Sequence, residues 1–334
     1  MSILITGCAG FLGSHIALKY LMSGENVIGI DDFCTSLGRE APHVNALKQF
    51  TNFHLWEHDM SKETSSSGLN GQGMKIDVIF NMACPASPPK YQAMPVHTLM
   101  TCVNGAKNVL DLARELGSTV VHASTSEIYG DPQHNPQVES DWGNVNSYGP
   151  RSCYDEGKRA AEALMYDYGH KYGVDVKIVR IFNTYGPCMD PDDGRVVTNF
   201  IKQFLTDNDV TIYGTGKQTR SFCYVSDLVD GITRMAMSDK SFTGPVNLGN
   251  PNEFTMIELA EKIKELIPES KSNIVHCALP IDDPHQRKPD ISLAKRSLGW
   301  EPKIQLSEGL IRTIDYMKTV RQYFNRSWLP CHKM

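Results

Sequence analysis

Tyr154 and Lys158, in the run Tyr154-Asp155-Glu156-Gly157-Lys158, share one face of a helix if this segment is helical. An unperturbed phenol titrates near ~10. An ammonium beside it favours the phenolate, which makes the hydroxyl usable as a base near neutral pH. Thr125, in Ser124-Thr125-Ser126-Glu127, follows the strand-like run Thr119-Val120-Val121-His122-Ala123 and offers a hydroxyl to orient substrate and phenol. Taken alone, a Tyr-x-x-x-Lys pair also describes many solvated helix faces.

The start of the chain separates those readings. Ser2-Ile3-Leu4-Ile5-Thr6 is an apolar run of the kind a fully buried parallel strand shows. Gly7-Cys8-Ala9-Gly10-Phe11-Leu12-Gly13 follows at once and leads into an amphipathic segment, His15 to Met22. Glycines placed between strand and helix allow a tight turn, close backbone approach to a pyrophosphate, and a helix N-terminus aimed at the anion. Phe11 and Leu12 belong to the same turn. The second strand, Asn26 to Ile30, ends in Asp31-Asp32, whose carboxylates suit the ribose hydroxyls of NAD and repel a 2′-phosphate. Arg39 is either a moderator of that preference or a solvated loop cation. Asp59, after the strand Phe53 to Glu57, is placed to meet the adenine.

The elements that must carry these groups read as α/β: a doubly wound parallel sheet of Rossmann type with a smaller C-terminal α/β lobe. With 334 residues, 41% hydrophobic and 21% charged, the chain can bury a sizeable core. A net charge of −5 argues against nucleic acid as the main partner. Nine scattered cysteines, with no Cys-x-x-Cys, suggest reduced core thiols and no metal site. A strand-like run beginning at Ser2 leads us to expect no leader or membrane span ahead of the fold, and a cytoplasmic setting. Val78 to Asn81, Val174 to Ile181 and Pro245 to Leu248 read as further strands, and Pro95 to Leu116 and Ser152 to Tyr172 as long helices. Ser61 to Lys75 is a polar excursion without chemistry. The expected division places residues 1–182, with a sheet return at about 221–250, in the dinucleotide domain, and 183–220 with 251–325 in the second lobe.

The Gly-x-x-Gly-x-x-Gly spacing joined to Tyr-x-x-x-Lys resembles the extended short-chain dehydrogenase/reductase superfamily. Within it, Cys84-Pro85-Ala86-Ser87-Pro88-Pro89-Lys90-Tyr91, Ser124-Thr125-Ser126-Glu127-Ile128-Tyr129-Gly130 and Arg151-Ser152-Cys153-Tyr154 resemble the UDP-glucuronic acid decarboxylases. So do Arg180-Ile181-Phe182-Asn183-Thr184-Tyr185-Gly186-Pro187, Asp193-Gly194-Arg195-Val196-Val197 and Asp283-Pro284-His285-Gln286-Arg287-Lys288-Pro289-Asp290-Ile291. The resemblance implies Met60, Met82, Ala83, Cys84, Thr101, Thr184 and Arg195 beside the cofactor. It also implies Pro85, Asn183, Arg195, Val197 and Gln218 beside a UDP-sugar, with Tyr213 bordering the uracil and Arg220 and Arg287 holding the diphosphate or sugar. Read without it, each of those arginines is a surface charge. It implies a homodimer through a four-helix bundle built from Pro95–Leu116 and Ser152–Tyr172, although periodicity alone allows these helices merely to cover the sheet.

The reaction so implied begins with the Tyr154 phenolate taking the proton from the sugar O4 as hydride leaves C4 for NAD. Relatives that expel a C6 hydroxyl carry an acid in the middle of Thr-Asp-Glu; here that position is Ser126, which argues against dehydration. A C6 carboxylate becomes a β-keto acid once C4 is oxidised, loses CO2 unaided, and leaves UDP-xylose after hydride returns. Glu127 either manages a proton near C5 or serves as a structural acceptor. The alternatives are a nucleotide-sugar 4,6-dehydratase or 4-epimerase, a decarboxylase that releases the UDP-4-keto-pentose, and a non-catalytic NAD sensor. Departures from the resemblance are His97 and Met100, where lysines are usual, and Asn81, where histidine is usual.

Overall fold

Ile3, Leu4 and Ile5 are fully buried because both faces of their strand are covered, the setting that gives a parallel strand its unbroken apolar run. In the computed structural model, which describes residues 1–64, 75–278 and 287–323, this strand lies inside a seven-stranded parallel sheet. Its members are β1 (Ser2–Thr6), β2 (Asn26–Asp31), β3 (Phe53–Glu57), β4 (Val78–Asn81), β5 (Thr119–Thr125), β6 (Val176–Ile181) and Val246–Leu248. The order is Val246–Leu248, β6, β5, β4, β1, β2, β3. The expected α/β doubly wound architecture is the one found. Most of the polar excursion (65–74), residues 283–286 of the Arg-Lys-Pro-Asp segment, residues 324 and 325, and Cys331 lie outside the described residues.

Alternation along β1 sorts the core into two layers. Ile3 and Ile5 pack with Ile16, Ala17 and Tyr20 of α1 (Phe11–Met22) on one face. Leu4 packs on the other, with Val109 and Leu110 of helix Ala106–Leu116 and Ala161 and Met165 of helix Ser152–Tyr172. β1 pairs with β2 on one side and β4 on the other, with Thr6 opposite Asn81. A crevice therefore opens beyond the C-terminal ends of β1 and β4, where the strand order reverses. Thr6 ties it together: its Oγ1 donates to Asn81 Oδ1 at 3.0 Å and accepts the Met82 and Ala83 amides at 3.1 Å each.

Two helices differ from the sequence expectation. α1 begins at Phe11, four residues before His15, because Gly13 sits inside its first turn and hides the amphipathic pattern there. The long helix from Pro95 to Leu116 contains a π-helical turn, Thr101–Gly105. Beyond the sheet, Val210–Tyr213 pairs with Ile274–Cys277, and Thr219–Ser221 with Glu253–Thr255. Among the described residues, no helix is long and apolar enough to cross a membrane.

Candidate active site

Three glycines at the end of β1 shape a cradle that side chains would fill. Gly7 has φ +67°, and a Cβ there would lie 2.9 Å from the Ala83 backbone; a Cβ on Gly13 would lie 2.1 Å from the Gly7 carbonyl oxygen. Gly10, the N-cap of α1, offers no side-chain cap, leaving the helix's first amides open toward the crevice. Both contacts are backbone, so neither can swing aside. Gly13→Ala is expected to cost roughly 1–3 kcal/mol through overpacking, seen as a lower thermal midpoint and loss of the midpoint shift on adding NAD; an unchanged shift would contradict this packing.

Asp31 closes the far side of the cradle, accepting the Ala9 amide at 2.9 Å and the Phe33 amide at 2.8 Å. Each oxygen keeps a lone pair for a further donor. Asp32 accepts the Cys34 amide at 3.0 Å and faces His97. Met60, Met82, Ala83, Cys84, Pro85 and Thr101 line this pocket, while Asp59 is not part of its lining and accepts the Ser61 amide at 2.8 Å. Arg39, one of the two readings above, pairs with Glu57 at the surface. These features fit a dinucleotide with free ribose hydroxyls.

The crevice continues into a cleft of about 710 Å³ lined by Thr125, Ser126, Glu127, Tyr154 and Lys158. Phe11, Leu12, Asn183, Thr184, Arg195 and Val197 border it, and so do Tyr213, Gln218, Arg220 and Arg287. Sequence-distant candidates are thus brought into one cavity. Tyr154 is buried at its floor, with its ring stacked on Tyr91 at 5.1 Å and 4°. Lys158 Nζ donates to the Ala123 carbonyl at 2.7 Å and lies 5.8 Å from the Tyr154 ring centre. The expected lowering of the phenol by this lysine is not what the protein alone shows. Burial dominates and pushes Tyr154 well above the ordinary range, the Cys84 thiol adds to it, and a hydrogen bond with Thr125 opposes it.

Glu127 is held from two sides. Arg287 meets both of its oxygens at 2.7 and 2.8 Å, and Arg151 donates to Oε2 at 2.7 Å. Burial pushes this carboxyl up, but the two guanidinium groups overcome it and hold it below the usual carboxylate range. Asp190 is paired with Lys90 at 2.5 Å, and Asp193 with Arg195 at 2.5 and 2.8 Å. Every carboxylate lining the cleft, among the described residues, is therefore engaged by a cation. Arg287, implied as a diphosphate holder, is committed to Glu127 here; Arg220, buried beside the cleft, donates to the Thr219 carbonyl at 2.9 Å. Tyr213 is half exposed at the rim, its carbonyl accepting from Gln218 at 2.7 Å.

The family described as GDP-mannose 4,6 dehydratase matches residues 4–313. UDP-glucuronic acid decarboxylase 1 of Arabidopsis thaliana is 51% identical over 316 residues, covering 94% of this chain and 69% of that protein. UDP-glucuronic acid decarboxylase 6 of the same plant is 50% identical over 312 residues, covering 93% and 87%. The chain belongs to the UDP-glucuronic acid decarboxylase family. The Xenopus tropicalis UDP-glucuronic acid decarboxylase 1 is 46% identical over 329 residues, covering 98% of this chain and 75% of that protein. Among solved structures, UDP-glucuronic acid 4-epimerase of Bacillus cereus, in complex with UDP-glucuronic acid and NAD, superposes with a TM-score of 0.85 at 27% identity, covering 96% and 100%.

Sequence reasoning gave no role to Arg151, Lys90 or Tyr91, although all three lie in motifs that carried the resemblance to this decarboxylase family. Their partners are Glu127, Asp190 and Tyr154, the nearest of them 24 residues away. Only the excess of cations and aromatics in those motifs hinted at work to do. Asn81, where the family usually has histidine, accepts from Thr6 and lies 3.1 Å from His122 Nδ1, so it ties β1 and β5 across β4.

Proposed function

We propose that this member of the family decarboxylates UDP-glucuronate to UDP-xylose through a 4-keto intermediate, with NAD reduced and reoxidised within one turnover. The observation that carries the reading is a cleft with a buried tyrosine and, among the described residues, no unpaired carboxylic acid. Dehydration needs an acid to release a hydroxyl, whereas a β-keto acid loses CO2 without one. Ser126, buried in that place, offers only a hydroxyl.

NAD, when bound, supplies the hydride acceptor for the sugar C4 and later the donor to the same carbon. The glycine cradle and Asp31 would hold it, with Met82 and Thr184 beside it. Tyr154 takes and returns the O4 proton, and Thr125 fixes the phenol's direction. Lys158, anchored on Ala123, braces the helix face. The paired Glu127 remains an anion, suited to ordering a water near C5 and not to giving up a proton. Arg220 would meet the diphosphate as a cation, while Arg287 borders the same cleft with its guanidinium on Glu127.

The exposed Val96, Met100 and Tyr166 on helices Pro95–Met100 and Ser152–Tyr172 support a homodimer in which these helices form a four-helix bundle. The division into a dinucleotide domain (1–182 with about 221–250) and a substrate lobe (183–220 with 251–325) is part of the same reading; helix Val196–Leu205 packs on Met256–Leu266 within that lobe. Eight free cysteines among the described residues support a reducing, cytoplasmic setting.

Two outcomes follow. Purified protein given UDP-glucuronate should release CO2 and yield UDP-xylose. Accumulation of UDP-4-keto-pentose with stoichiometric NADH would overturn the product assignment, and a C6-intact product without CO2 would overturn the reaction. Burial, ahead of the opposing Phe33 and Ala9 amides, pushes the Asp31 carboxyl up to about 6. Ribose hydroxyls donate best to the charged form, so NAD affinity should fall by up to about tenfold per pH unit below that value. Calorimetry at roughly pH 5 and pH 7.5 reads this; a dissociation constant that does not change with pH rules Asp31 out.

A further inference from the structure

Cys84 and Cys102 are a pair of neighbouring thiols that the proposed reaction leaves unused. Their Sγ atoms lie 3.2 Å apart, a contact in which either thiol can donate to the other. A disulfide needs about 2 Å, so closing the bond requires the sulfurs to move by roughly an ångström. Access is one-sided. Cys84 lines both the main cleft and the adjoining cofactor pocket, while Cys102 is sealed behind it at 2% exposure.

Cys102 sits in the π-helical turn Thr101–Gly105 and packs against Gly157, where a Cβ would lie 2.9 Å from the Cys102 Cβ. Gly157 lies between Tyr154 and Lys158 on their own helix. Drawing Cys102 toward Cys84 therefore unseats the packing under the tyrosine base.

We propose that Cys84 and Cys102 form a dithiol modification site that takes a hydroperoxide entering the cleft and closes to a disulfide, reversibly shutting the active site. In the first step the Cys84 sulfur takes one peroxide oxygen, the O–O bond breaks, and the remainder leaves as alcohol or water, giving a sulfenic acid. In the second, the Cys102 sulfur attacks the Cys84 sulfur. The S–S bond forms, the S–O bond breaks, and hydroxide leaves as water with the Cys102 proton. Two thiols lose two electrons and the peroxide gains both. Burial, and then the hydrogen bond with Cys102, push the Cys84 thiol well above its ordinary range, so its oxidation is the slow step. The hydrogen bond with Cys84, and then the Lys158 charge, pull the Cys102 thiol below its range against burial, which favours Cys102 as the attacking sulfur in the second step.

The test exposes the full chain, with NAD present, to hydrogen peroxide. Wild-type protein should lose the mass of two hydrogens, give a joined Cys84–Cys102 peptide on digestion, and lose turnover by roughly tenfold or more, with dithiothreitol restoring both. Cys102→Ser, with normal basal turnover, should instead gain oxygen at Cys84 and, once a second oxygen carries the sulfenic acid to the sulfinic acid, resist rescue by dithiothreitol. Absence of the joined peptide from wild type, or a joined peptide with turnover intact, overturns the proposal. The activity arm rests on the decarboxylase reading, but the mass and peptide readouts do not; failure of that reading alone leaves the cross-link visible.

Discussion

Tyr154→Phe is expected to lower kcat by on the order of 10²–10⁴-fold, since removing the hydroxyl removes the proton acceptor that the proposed reaction assigns to the sugar O4. The ring should stay in place, because its stack on Tyr91 at 5.1 Å needs no hydroxyl. NAD binding, followed by fluorescence titration, should therefore be little changed. The phenol lies well above its usual range through burial, so turnover should rise with pH on the alkaline side of neutrality, as the base form becomes more accessible. Lys158→Met should move that limb further up. Near-normal decarboxylation by Tyr154→Phe would end the assignment of this residue as the base.

Glu127→Ala is the second large expected effect, and it falls on stability as well as turnover. The buried Arg287 would lose the carboxylate it shares with Arg151, and the partly buried Arg151 would be left with Asp155 at 3.9 Å. Leaving such charges unpaired costs about 3–5 kcal/mol, measurable as a drop in urea midpoint at constant slope. Glu127→Gln keeps the volume and one acceptor and should cost less. The sign with pH follows from the depressed carboxyl of Glu127: its contribution is present above the unfolded carboxylate value and is lost as pH falls through the lower folded value. The gap between wild type and Glu127→Ala should therefore narrow in acid. A loss under about 1 kcal/mol would mean the pair carries little of the fold.

Local patterns made most of the sheet legible. β3 and β4 occupy the residues expected of them, and helix Ser152–Tyr172 begins and ends where expected. Apolar runs and glycine placement act over a few residues, and a sequence displays such order directly. The site was legible as a set of residues more than as a set of interactions. Arg287 and Glu127 are 160 positions apart, and nothing local to either announces the pair. The same holds for the π-helical turn at Thr101, whose cause is packing, and for the Tyr154 phenol. A neighbouring lysine predicts a lowered value, but the depth of burial that reverses it is a property of the folded chain.

UDP-glucuronate carrying deuterium at C4 tests the central claim most directly. If hydride leaves C4, waits on the bound cofactor and returns, the UDP-xylose formed in ordinary water should keep its deuterium at C4, with no label in free NADH. UDP-xylose that has lost the C4 deuterium, or label recovered in released NADH, would contradict the account.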